Sequence, residues 1–345
     1  MTRAAVVTPL LGLLLLGCSG EAGAGTQATS AYGEASTLCQ LTDPRLPEVS
    51  GLVAVGDSMW VANDGGDDLE VFRLDADCAV AETRTAPVDP YDPEDIAIAA
   101  DGTVWFADAG DNRAERDTVA LIALRPDGST AVHRLSYPDG PHDSEALLLA
   151  PDGTPYLVTK EVLGVSGIYR PDVPLVPGGT VPMSRGGSVA LSLTGTPGGP
   201  VGRAGQLLVT GGAVSADGRA VALRTYTDAY VWPLEGSNVV GALAGAPTRV
   251  ALPEATQGEA ISFGADGRDL VVGGEGLPSA ISVLPWMSGF TPAAAVEEAP
   301  PGTDDLTTAG EESLPTGTAA VIAGVLAWVI LWFWKKWRQR QHQYQ

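Results

Sequence analysis

SGLVAVGDSMWVANDGGDDLEVFRLD (Ser50–Asp75) and EDIAIAADGTVWFADAGDNRAERDTVALIAL (Glu94–Leu124) are two statements of one phrase. Each has a short apolar run, a tight turn, a second apolar run that ends in polar residues, and then a third run. Three more copies follow, beginning at Glu145, Gly212 and Glu259 and reaching Arg170, Leu234 and Pro285. Asp-Gly pairs at 101/102, 152/153, 217/218 and 266/267 fall between the first two runs of their copies, where a two-strand hairpin needs a residue at positive φ. Alternating apolar residues flank them, so each copy reads as consecutive antiparallel strands. Most copies start about 45–50 residues apart, the length of a four-stranded blade. One such sheet cannot cover its own apolar faces, and radial repetition can. The fold class is therefore all-β, a β-propeller of five to seven blades over residues 36–288. An open pair of sheets is the alternative, and it gives no reason for repetition. The long third interval holds VALSLTGT and the Gly/Pro-rich PGGPVGRAG, which is either an insertion or a degenerate extra blade. STLCQLTD (Ser36–Asp43) is expected to supply the outer strand of the last blade and close the ring.

The ends of the chain have a different composition. Residues 1–17 pair an early cation, Arg3, with an apolar run, as in a secretory signal. Leu15-Leu16-Gly17-Cys18 is similar to a lipobox, which makes Cys18 the lipidation candidate; ordinary cleavage after Ala22-Gly23-Ala24 stays open beside it. Residues 18–35 read as a flexible segment, and 289–317, rich in Pro, Thr and acid, as a stalk. Thr318–Trp334 carries no charge and is just long enough to cross a bilayer as a helix. Lys335, Lys336, Arg338 and Arg340 follow in a basic tail, 335–345, and Trp332, Trp334 and Trp337 suit the membrane interface. The expected arrangement is a single-pass cell-membrane protein with its ectodomain outside and its C-terminus cytoplasmic. In that oxidising space Cys39 and Cys78 are expected to form a disulfide that ties the N-terminal strand to the first repeat.

The formal charge is −22, and nearly all of the acid lies between the ends. Such a surface repels nucleic acid and favours cations. Partners are therefore expected to be the membrane, through the C-terminal helix, and an unidentified protein or small-molecule ligand. No G-x-S-x-G elbow, H-E-x-x-H motif or phosphate-binding glycine loop is present. His142-Asp143-Ser144 is contiguous, which does not by itself make a triad.

The phrases YPDGPHDSEALLLAPDGTPYLVTKE, DPEDIAIA…WFADAGDNRAER and VSADGRAVALRTYTDAYVW resemble a group of secreted or membrane-anchored β-propeller proteins of actinobacteria. More distantly, the architecture is similar to esterase-like and phytase propellers and to calcium-dependent lactonase propellers. A phytase would need a denser basic phosphate site than one ectodomain lysine, Lys160, supplies.

In a propeller the starts of the inner strands converge on the axis. Glu94, Asp95, Glu145 and Glu259 are therefore the candidate metal ligands, and Ca²⁺, which takes six to eight oxygens, is the candidate ion. Ser50 and Gly212-Ala213 open the other two copies, leaving the ring of acids incomplete. A second set, Asn63, Asp64, Asp108, Asp111, Asn112, Lys160 and Arg224, ends the second strands and should share one rim. Lys160, with Arg113, Arg116 and Arg224, is suited to hold an anion near bound calcium. The function expected is an extracytoplasmic ligand- or protein-binding module of the bacterial cell envelope; the alternative is a calcium-dependent esterase, phosphoesterase or lactonase.

Overall fold

A computed structural model describes residues 31–287. The expected signal segment, Cys18, stalk, membrane span and basic tail lie outside the described residues. No helix among the described residues is long and apolar enough to cross a membrane. Of the segment 18–35, residues 31–35 are described, and Tyr32 is buried there with its ring edge-on to Trp286.

Twenty strands build five four-stranded antiparallel units. Unit 1 runs β2 (Val49–Val55), β3 (Ser58–Asn63), β4 (Leu69–Leu74) and β5 (Val80–Ala86). Unit 2 is β6 (Pro93–Ile98), β7 (Val104–Asp108), β8 (Val119–Leu124) and β9 (Thr130–Ser136). Unit 3 is β10 (Ser144–Leu149), β11 (Pro155–Thr159), β12 (Val165–Pro171) and β13 (Thr180–Ala190). Unit 4 is β14 (Val209–Val214), β15 (Ala220–Thr225), β16 (Asp228–Pro233) and β17 (Thr248–Ala251). Unit 5 is β18 (Gln257–Phe263), β19 (Leu270–Glu275) and β20 (Ser279–Leu284), completed by β1 (Ser36–Leu41), which pairs with β20.

The first strands touch in the cyclic order β2, β6, β10, β14, β18 and back to β2. The apolar residues obey the same order, forming five clusters that each join one unit to the next. Trp60 and Val71 of unit 1 meet Ile96 and Phe106 of unit 2, and Leu52 and Phe72 meet Leu41 and Ile281 across the closing seam. Middle strands are covered on both faces, so β8 (VALIAL) is buried throughout, whereas the outer strand β5 alternates. The arrangement is a propeller-like ring of five units.

Chemistry at the predicted turns is the expected one. Gly102, Gly153, Gly218 and Gly267 have φ of 83, 84, 69 and 70°, a region open to glycine at little cost. The preceding aspartates accept from backbone amides two residues on, as Asp101 does from Thr103 at 3.0 Å and Asp152 from Thr154 at 2.9 Å.

The long third interval is an insertion and not a sixth unit. Its described secondary structure between β13 and β14 is one 3₁₀ turn, Gly202–Gln206. Buried Asp228 pins it, accepting from Thr194 and Thr196 at 2.8 and 2.7 Å and from Arg249 Nε at 2.8 Å.

Two seams are reinforced. Cys39 in β1 is disulfide-bonded to Cys78 in the β4–β5 turn, joining units 5 and 1 as the cysteine count implied. At the other seam, β13 overruns its own sheet and pairs in parallel with β9 (Thr180↔Arg134, Val181↔Leu135, Pro182↔Ser136). Units 2 and 3 thereby become one eight-stranded sheet.

Candidate functional site: an acidic well at the head of the inner strands

One irregularity recurs in every unit. The register between first and second strand slips after its first pair, or its second in unit 5, between Val49 and Gly51, Pro93 and Asp95, Ser144 and Ala146, Val209 and Gly211, and Gly258 and Ile261. A bulge of this kind leaves one residue out of the ladder and re-aims its side chain. The residues passed over are Ser50, Glu94, Glu145, Thr210 and, with Ala260, Glu259. All are buried. Four of these are the positions named from the repeats. The fourth unit differs: its first strand begins at Val209, so the equivalent residue is Thr210 and not Gly212. Gly212, taken as the start of that copy, lies two residues late; the spacing to the Asp-Gly turn that holds for Glu94, Glu145 and Glu259 gives Thr210.

Glu94, Glu145 and Asp143 each place a carboxylate oxygen within 4.8 Å of the others. Asp143 was absent from the sequence-based candidates. It stands two residues before the bulge, the position held by Asp92 in unit 2 and Gln257 in unit 5, and the aligned repeats carried that signal. Burial raises Glu94 well above the ordinary carboxylate range, and Glu145, Asp92, Asp64 and Asp143 add repulsion. Glu145 is raised for the same first reason, although Lys160 Nζ, 2.5 Å from its Oε1, opposes the shift. Burial likewise raises Asp143 against the pull of Lys160 and of the Asp111 amide, which donates to it at 2.8 Å. Glu259 is raised by burial, with Glu275, Lys160 and Gln257 opposing; Gln257 Nε2 donates to its Oε1 at 2.7 Å. Space for the cluster comes from Gly110: a methyl group there would overlap Glu94 Oε1 and the Asp92 carboxylate.

Asp95 stands apart. Its side chain accepts from the amides of Ile96 and Leu147 at 2.8 Å and of Gly212 at 3.3 Å, so it stitches three inner strands at the centre of the ring. Burial still holds its carboxyl well above the usual range, against the lowering by those three amides.

The rim set divides by partner. Asp108 accepts from the Tyr91 and Asp92 amides and from Arg116, and Asp111 accepts from the Glu115 and Arg116 amides, so both brace the loop that carries Gly110. Asn63 donates to the Arg45 carbonyl at 2.7 Å, and Asn112 is exposed. Asp64 lies close enough to act on Glu94 and Glu259. Arg224 is buried, donating to the carbonyls of Ala260 at 2.6 Å and Gly273 at 2.7 Å, and burial lowers it to about 9. Arg113 is exposed beside Glu115, and Arg116 is bound to Asp108, so the arginines do not gather with Lys160. Lys160 enters the well alone, with Nζ 5.4 Å from the centroid of the Tyr226 ring.

The donor set is all hard oxygen, which suits Ca²⁺ or Mg²⁺. Glu145 Oε2 is buried without a hydrogen-bond partner, a costly state for an anionic atom unless a proton or cation satisfies it. Exposed apolar side chains stand on the loops at this end, among them Tyr91 (64%) and Leu163 (84%).

No family model matches the chain, and no curated protein does. Among solved structures it is similar to a gluconolactonase from Xanthomonas campestris at 17% identity, covering 67% of this chain and 69% of that one, with a TM-score of 0.38. A 6-phosphogluconolactonase-like protein from Bacteroides uniformis shares 15% identity over 68% and 66% of the two chains, TM-score 0.35. The WD40 repeats of RRP9 share 15% over 69% and 67%, TM-score 0.35. Likenesses of this degree carry no argument about activity; the ring architecture stands on its own strand pairing.

Proposed function

We propose that this chain is an extracytoplasmic binding module of the cell envelope, tethered through 318–334, whose acidic well takes a divalent cation, Ca²⁺, and through it an oxygen-rich ligand. The observation that carries the reading is the meeting of Glu94, Asp143 and Glu145 with one buried carboxylate oxygen, Glu145 Oε2, left without a partner. These three would hold the cation, with Glu259 and Asp64 supplying further negative charge. The bound cation supplies positive charge for ligand oxygens in a site from which water is largely excluded. Tyr91 and Leu163 around the mouth offer the apolar contact that a ligand or protein partner needs.

Calorimetric titration of CaCl₂ into the protein tests this, with Glu94→Gln/Glu145→Gln as control. Saturable binding that the control loses is expected; wild-type protein that takes up no calcium overturns the reading. A calcium-dependent hydrolase is the second reading, and Glu259 favours it. A buried carboxylate raised from its ordinary range is suited to accept a proton from water during attack on a phosphoester or lactone. Turnover abolished by chelator and by Glu259→Gln would establish it, and a screen of both ester classes without turnover would remove it.

A further inference from the structure

Positive charge already occupies the well. Lys160 follows the last residue of β11, and Asp64 and Tyr226 follow the matching pair positions of units 1 and 4, so one structural position places an acid, a cation and an aromatic ring around the same centre. Lys160 is the one lysine of the described residues; the others are Lys335 and Lys336. Its side chain is 11% exposed and that of Glu145 is 2%. The ammonium therefore exchanges little of its charge with solvent and directs it at Glu145, a member of the three-carboxylate cluster.

We infer that the Lys160 ammonium is a built-in counter-cation that competes with the divalent ion for the Glu145 carboxylate, so that calcium enters by displacing it. This rests on the cation reading above and goes beyond it, because it sets when the site fills. Geometry supplies both halves of the exchange. Glu145 Oε1 is held by the lysine while Oε2 of the same carboxylate is vacant of hydrogen bonds. An ion that gathers Glu94, Asp143 and Glu145 must share the Glu145 carboxylate with an ammonium already 2.5 Å from its Oε1, and two cations on one carboxylate repel each other. The Tyr226 ring gives the displaced ammonium a second resting place, since its face attracts cations and Nζ already lies 5.4 Å from its centre. Asp143 and Glu259 also lie close enough to act on the same ammonium, so the well holds it by more than one carboxylate. No bond is made or broken; one cation replaces another. In a well without this lysine, an ion would meet the same carboxylates with no rival. Removal of the ammonium charge, by substitution or by acylation, should open the well to calcium.

The test is calcium titration of the full-length protein, wild type against Lys160→Met, by calorimetry. The methionine variant is expected to bind at least about tenfold more tightly, as loss of one adjacent like charge implies. Equal or weaker binding by the variant, with wild-type binding intact, overturns this inference and leaves the cation reading standing. No binding by either protein overturns both. Because Lys160→Met leaves Glu145 buried without its partner and could unfold the protein, a second measurement uses the wild type. Lys160 is labelled with an amine-acylating reagent and its peptide is quantified by mass spectrometry with and without calcium. Labelling that rises on calcium addition supports displacement; unchanged or reduced labelling overturns it.

Discussion

The two ends of the ring are both rich in carboxylates, and they treat them in opposite ways. At the turn end, Asp101, Asp127 and Asp152 are exposed or nearly so, accept hydrogen bonds from Thr103, Ser129 and Thr154, and are held below the ordinary aspartate range by those bonds. At the head of the inner strands, Glu94, Glu145 and Glu259 are buried and Asp143 is half-buried; they act on one another and are pushed above it. Acidic composition is therefore no guide to a site. An aspartate within two residues of the amide that satisfies it belongs to the backbone; a carboxylate removed from its ladder by a bulge, with other carboxylates as neighbours, is poised for a cation or a proton.

The comparison can be broken at several points. The largest effect on stability should come from the seam and should leave the well untouched. Cys39→Ser/Cys78→Ser opens a loop of sequence separation 39 and is expected to cost about 3–4 kcal/mol by chemical denaturation, with calcium affinity unchanged. Affinity that falls with the disulfide would mean that the two ends are not independent. Next, Glu145→Gln is expected to weaken calcium binding about 100-fold, roughly 2.7 kcal/mol, whereas Asp101→Asn and Asp152→Asn leave it within about twofold. Similar losses at both ends would reduce the well to general surface charge. Gly110→Ala, which adds no charge, should displace the Glu94 carboxylate and weaken binding about tenfold, near 1.4 kcal/mol. Unaltered affinity would remove Glu94 from the ligand set.

The pH dependence sharpens the same contrast through its sign. A carboxyl whose folded pKa is raised stabilises the fold below its unfolded value, near 4.5 for glutamate, and that contribution is lost as pH rises through the folded pKa. Turn aspartates with lowered pKa contribute above their unfolded value, 3.8, and lose that contribution as pH falls. Melting temperature without calcium should therefore decline as pH rises from about 5 toward 8, and saturating calcium should flatten the decline. A melting temperature that instead rises over this range would show that the well is neutralised from within. The smallest effect belongs to single turn aspartates: Asp152→Ala should cost less than about 1 kcal/mol, since the amide it satisfies is open to water.

Much of the ring was legible in the repeats. Period-two alternation and Asp-Gly turns follow from local backbone chemistry, and the closing strand and the disulfide follow from an incomplete last unit and an even pair of cysteines. Glu94, Glu145 and Glu259 were legible as equivalent positions. Thr210 and Asp143 were overlooked although the repeats carry them: Thr210 has the same spacing to its Asp-Gly turn as the three glutamates, and Asp143 precedes Glu145 as Asp92 precedes Glu94; what one strand's sequence does not display is the bulge, a property of two paired strands. The roles of Asp108 and Asp111 were hidden for a related reason: the amides that claim them, of Asp92 and Arg116, come from loops whose path no periodicity describes. The pairing of β13 with β9 also had no local signal, since it depends on an outer strand extending past its own sheet.

Closure of the last unit by β1 has a directional consequence. Antiparallel pairing of β1 with β20 brings the two ends of the described chain together, with the Met287 amide donating to the Ala31 carbonyl at 2.8 Å. The Trp286 amide donates to Asp269, in the β18–β19 turn, so both ends leave from the turn end. A tether attached beyond Met287 would hold that end toward its anchor. The mouth of the well would then point away from that anchor.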